Sequence, residues 1–176
     1  MDSPWERTTD VETSATPERR QLVMATALIG VGVMAAVDEI VFHQLLGWHH
    51  FYDRSTPEIG MLSDGLLHAA ELVALVAGVF LLIDLRDRGV SAPVLAWGGF
   101  LLGAGGFQVV DGLIDHKVLR VHQIRYDVDL LPYDLTWNGF GLLVALVGLM
   151  LIRQSWSQAA RRSESSPVNP RQDEPR

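Results

Sequence analysis

The chain has 176 residues, enough for one domain, and 48% of them are apolar and gathered into four long runs. A formal charge of −7 with no basic stripe excludes a nucleic-acid partner. The absence of cysteine excludes disulfides, thiolate metal sites and a cysteine nucleophile, so any metal must be held by nitrogen and oxygen.

Residues 1–20 read as a polar tail, and the run that follows is too long for the apolar part of a cleaved signal peptide, so the tail is expected to be retained. Four membrane spans are predicted, over residues 21–46, 65–85, 92–119 and 135–152, which gives an all-α integral membrane four-helix bundle over 21–153. At about 1.5 Å per residue the first and third exceed the roughly 30 Å of hydrocarbon, so each should project a polar, histidine-bearing extension. Gly47 is expected to end the first extension and swing His49 and His50 back toward His43. The second span carries Asp64, His68 and Glu71 on one helical stripe. The third carries Gly99 and Gly103 at G-x-x-x-G spacing, with Gly106 near the same face, a pattern for close helix packing. Residues 154–176 form a second tail, of which 163–176 has too few apolar groups to offset the entropy of ordering.

Apart from Arg54, Lys117, Arg120 and Arg125, the fourteen Lys and Arg lie in the tails or in the turn between the second and third spans. Basic residues favour the cytoplasmic side, so the reading is a multi-pass plasma-membrane protein with both termini cytoplasmic and the histidine-bearing loops outside. Trp48, Phe51, Tyr52, Tyr126, Tyr133 and Trp137 cluster near that outer face as an interfacial aromatic belt.

Shifting the sequence by 73 places lays Asp38, His43 and His49 on Asp111, His116 and His122, and a shift of 70 lays Asp64, His68 and Gly78 on Asp134, Asn138 and Gly148. The bundle therefore reads as two tandem two-helix repeats entering the bilayer in the same direction, whose polar anchors can converge. The copies differ: His50 faces Gln123, His68 faces Asn138 and Glu71 faces Gly141, so a shared site must be asymmetric.

All six histidines, His43, His49, His50, His68, His116 and His122, lie on outward helix ends or loops, among Asp38, Glu39, Glu71, Asp111 and Asp115. Carboxylates at membrane depth need partners, and imidazoles binding a metal, with carboxylates as ligands or orienting groups, would supply them. On a straight α-helix, however, His43 and His116 sit about 140° round from Asp38 and Asp111, which keeps each pair from gripping one ion.

The stretch from Val37 to His50, with Phe42-His43-Gln44 followed by Trp48-His49-His50, and that from Asp111 to His122 resemble the two signature segments of a family of uncharacterised bacterial membrane proteins, domain of unknown function 2243. The resemblance spans residues 21–153, implies four helices and implies no activity. It singles out Asp38, His43, His49, His50, Asp111, His116 and His122, and it implies a small glycine where Glu39 stands.

The expected function is a metal site near the outer face, drawn from His43, His49, His50, His68, His116, His122, Asp38 and Asp111. The expected cofactor is a divalent ion, zinc or copper, with haem as second choice. A catalytic version would hydrolyse a lipid-soluble substrate, with Glu71 or Asp115 shuttling the proton of metal-bound water. The alternatives are a noncatalytic protein that binds or delivers metal to a membrane complex, a b-type haem protein, and an ion or proton pathway. The expected partner is membrane lipid, and a homo-oligomer or larger membrane complex is compatible with the sequence.

Overall fold

The computed structural model describes residues 4–164, with side chains from 16 to 162. Most of the N-terminal tail's side chains, and residues 165–176 of the segment expected to lack order, lie outside the described residues. The elements are α1 (Pro4–Asp38), a first π-helix (Glu39–Leu45), α2 (Pro57–Asp87), α3 (Pro93–Val110), a second π-helix (Asp111–Val118) and α4 (Leu130–Glu164). Four segments, Thr16–Leu45, Pro57–Asp87, Pro93–Val118 and Leu130–Arg162, are long and apolar enough to cross a membrane. The protein is an all-helical membrane bundle.

Local chemistry sets the boundaries. Pro57 and Pro93 open α2 and α3, where the missing N–H is not needed and the fixed φ suits the first turn. Gly89, at φ 81°, closes α2 with paired bonds from Gly89 N–H to Arg86 O and from Val90 N–H to Leu85 O, the Schellman pattern. Beyond the π-helices the chain turns through left-handed residues at matching places, Gly47 (φ 57°) and Arg120 (φ 52°).

The helices lie in a row, α2–α1–α3–α4, with α1 and α3 at the centre. Glycine lets them approach. A Cβ on Gly103 would collide with the Ala27 carbonyl of α1, and one on Gly105 would collide with Ala145 N of α4. Gly99 also faces α1, but a Cβ on Gly106 would meet nothing within 4 Å, so the small-residue face does not extend to it as the spacing suggested. At one end Arg19 bonds Ser155 and Arg88 bonds Gln21, over a core of Leu22, Ala25, Leu85 and Leu95. At the other end the two loops meet, with Asp53 N–H donating to Val121 O. The interior there is polar, whereas Phe80, Val73 and Met150 are exposed, the distribution expected of a chain whose outer solvent is hydrocarbon.

Candidate metal centre

Both π-helices lie where chemistry-bearing residues are densest. In this helix type the backbone bond closes on the fifth residue rather than the fourth, so positions five apart come back to one face. His43 Nε2 lies 3.6 Å from Asp38 Oδ2, and His116 Nε2 lies 3.3 Å from Asp111 Oδ2. The separation expected of a straight α-helix is therefore overturned. One extra residue in the turn turns a 140° offset into a shared face, in both halves of the chain.

The loops then return a second imidazole from each half. Ring centroids of His43 and His49 are 4.5 Å apart, as are those of His116 and His122. Across the two halves, His49 and His122 stack at 4.7 Å and 3°, and the pairs His43–His122 and His49–His116 are each 6.1 Å apart. The four rings form a block with matching distances on its two sides.

Each half fixes the tautomer of the other. His49 Nδ1–H donates to Ile124 O at 2.9 Å, and His122 Nδ1–H donates to Phe51 O at 2.9 Å. Each accepting carbonyl lies two residues beyond the other half's second histidine. A carbonyl only accepts, so in the neutral rings both Nε2 atoms carry lone pairs. His43 is fixed differently: its Nδ1–H donates to Asp64 Oδ1 at 3.1 Å, and Glu39 Oε2 lies beside the same nitrogen at 2.8 Å as a charge contact. Its Nε2, like that of His49, is buried with no hydrogen-bond partner among the described residues. His116 Nε2–H donates to His122 Nε2 at 2.8 Å, and Asp111 Oδ1 lies 3.4 Å from the latter. Burial, then the neighbouring imidazoles of His122, His43 and His116, push the His49 imidazole down to about 2, so it stays neutral.

Ligand atoms of His49, His116 and His122, and those of Asp38, His43 and His49, lie within 4.8 Å of one another. A tetrahedral zinc ion with bonds of about 2.05 Å sets its ligands about 3.3 Å apart. The 3.3, 3.4 and 3.6 Å separations above meet that edge, and the 2.8 Å pair needs only a small opening.

The remaining candidate residues lie apart. His50 turns away to Asp64 Oδ2 at 2.6 Å and is about a third exposed, and His68 is half exposed and pairs with Glu71. The stripe Asp64, His68 and Glu71 does not act as one unit, because Asp64 also accepts from Phe51 N–H at 2.7 Å. Asp115 is half-buried and contributes its backbone carbonyl to Val121 N–H. Glu39, in place of the expected glycine, is buried, accepts from Gln44 at 2.8 Å and helps hold His43. A Cβ on its counterpart Gly112 would collide with the Asn138 side chain. The holding carbonyls of Phe51 and Ile124 carry no side-chain signal that sequence reading could have found.

The model of a family described as a predicted membrane protein, DUF2243, matches residues 25–155. The chain belongs to this family. Both π-helices, both loops and all six converging donors fall inside the DUF2243 region. No curated protein and no solved structure matches the chain.

Proposed function

We propose that this DUF2243 protein holds a divalent metal ion, zinc or copper, in the chamber of Asp38, His43, His49, Asp111, His116 and His122. The observation that carries the reading is the tautomer of three rings. His43, His49 and His122 each give the Nδ1 proton to a fixed acceptor, which leaves three Nε2 lone pairs among buried groups, and those of His43 and His49 meet no donor among the described residues. Buried acceptors without donors are costly, and a cation supplies what they lack. Charge points the same way: a divalent ion cancels the Asp38 and Asp111 carboxylates, which would otherwise sit unpaired in a low dielectric. Mixed imidazole and carboxylate ligation suits zinc and copper.

The geometry favours holding or passing on the ion over catalysis. None of the six donor residues is more than 5% exposed, whereas a catalytic ion needs a position open to water or substrate. Hydrolysis of a lipid-soluble substrate is less well supported, since Glu71 is engaged by His68 and Asp115 is only half-buried. Four rings packed at 4.5 to 6.1 Å leave no slot for a porphyrin. A proton path across the bilayer would have to cross the apolar cluster of Leu22, Ala25, Leu85 and Leu95.

The basic residues at the opposite end support a plasma-membrane topology with cytoplasmic termini and the chamber at the outer end. Single cysteines at Ser55 and Ser157 of this cysteine-free chain test it, because an impermeant thiol reagent on whole cells should label the first and spare the second. For the metal, elemental analysis of the purified chain should find a transition ion that is lost from a His43→Ala, His116→Ala double variant of intact helix content. A folded native chain that takes up no zinc or copper would end this reading.

A further inference from the structure

Beside the metal chamber lies a cavity of about 490 Å³ between α3, α4 and the first π-helix, walled by Phe42, Trp48, Ile124, Tyr133, Trp137 and Phe140. We propose that it binds an anionic phospholipid from the leaflet at this end of the bundle, with the phosphate on Arg125 and an acyl chain along the aromatic wall. The proposal does not rest on the metal reading.

The wall is preformed. Phe42 meets Trp137 edge to face at 5.3 Å, and Trp48 meets Tyr133 edge to face at 5.8 Å. Arg125 is locked over these rings, its guanidinium 4.8 Å from the Trp48 centroid and 5.7 Å from that of Tyr133, while Nη1 donates to the Tyr133 hydroxyl at 2.8 Å. Among the described residues no carboxylate neutralises it. Asp129 accepts instead from Leu131 N–H, and Asp134 pairs with Lys117 at 2.5 Å. A fixed, planar guanidinium with N–H groups to spare at an apolar mouth matches a phosphate with a hydrocarbon tail. A second observation comes from Trp137, 7% exposed, whose Nε1–H has no acceptor among the described residues. The ester carbonyls of a glycerophospholipid would supply one.

The pocket is a product of the asymmetry between halves. The positions 70 before Tyr133, Trp137 and Phe140 are Ser63, Leu67 and Ala70, and the position 73 before Arg125 is Tyr52. A generic interfacial belt would need neither the single cation nor the depth of the cavity.

The test is native mass spectrometry of the full chain, released from detergent holding equal amounts of phosphatidylglycerol and phosphatidylcholine with identical acyl chains. The unmutated chain should retain phosphatidylglycerol over phosphatidylcholine about fivefold, the worth of one basic residue at a membrane surface. Arg125→Gln should remove that preference, and Arg54→Gln, the same charge change on an exposed loop, should keep it. Thr136→Phe, which fills the cavity without altering charge, should lower retention of phosphatidylglycerol. Equal retention of the two lipids by the unmutated chain would overturn the proposal without reference to any variant's folding. So would a preference that survives Arg125→Gln, or retention indifferent to Thr136→Phe, which would mean that surface charge alone attracts the lipid.

Discussion

Replacing Asp64 by asparagine tests the metal chamber through a residue outside its six donors. Asp64 is 2% exposed, and its carboxylate takes His43 Nδ1–H at 3.1 Å, Phe51 N–H at 2.7 Å and His50 Nδ1 at 2.6 Å. Asparagine keeps the shape but offers one accepting oxygen and no charge, so it cannot serve both rings. His43 would then be held by Glu39 alone, at 2.8 Å. Removing the acceptor behind a metal-bound imidazole weakens binding about 10- to 100-fold, roughly 1.4 to 2.7 kcal/mol. With Glu39 still in place the lower end applies, and an Asp64→Asn, Glu39→Gln double variant should reach the upper end. The matching position in the second half behaves differently. Asp134 is bound to Lys117, and His116 Nδ1 has no partner among the described residues, so Asp134→Asn should change affinity by no more than about twofold. Competition against a fluorescent zinc chelator, on detergent-solubilised chains matched for helix content, measures all of these. Equal losses for Asp64→Asn and Asp134→Asn, or a larger loss for the latter, would refute the reasoning.

Three further outcomes follow from the same geometry. In metal-free protein His49 is held at about 2, against 6.5 ordinarily, so the unfolded chain takes up a proton that the folded chain refuses. Stability is then undiminished above about pH 6.5 and falls as the pH drops below it, by about 1.4 kcal/mol per unit for this group. Thermal melts between about pH 8 and pH 5 should show the slope, shallower by one proton in His49→Asn, and melts independent of pH would contradict it. Gly103→Ala should destabilise the bundle by about 1 to 3 kcal/mol, because its Cβ strikes Ala27, whereas Gly106→Ala should be neutral or stabilising by up to about 1 kcal/mol. Thermal unfolding in detergent separates the two, and a Gly106 variant as unstable as the Gly103 variant would argue against the α1–α3 packing described. Arg120 adopts a left-handed conformation that glycine takes without steric penalty, so Arg120→Gly should raise stability by up to about 1 kcal/mol in the same assay, and a loss would mean the side chain anchors the loop.

The four spans could be read from the sequence because crossing a bilayer depends on the length and apolarity of a continuous run, and both are one-dimensional properties. The six converging donors were legible too, since the correspondence at 73 residues marks Asp38, His43 and His49 together with Asp111, His116 and His122. Local spacing misplaced others. His68 and Glu71 share a helical turn, yet the half-exposed His68 pairs with the buried Glu71 and with none of the six donors, and Asp64 is drawn off by Phe51 N–H and two rings from another segment.

The helix type was decided only in three dimensions. An apolar run has the same composition whether it winds with four or five residues between bonded groups. What distinguishes the two here is the reward for bringing Asp38 onto His43 and Asp111 onto His116, once the opposite loop's carbonyls hold His49 and His122 beside them. Those carbonyls belong to the backbone, which every residue shares, so their placement follows from how the loops cross and not from which side chains they carry.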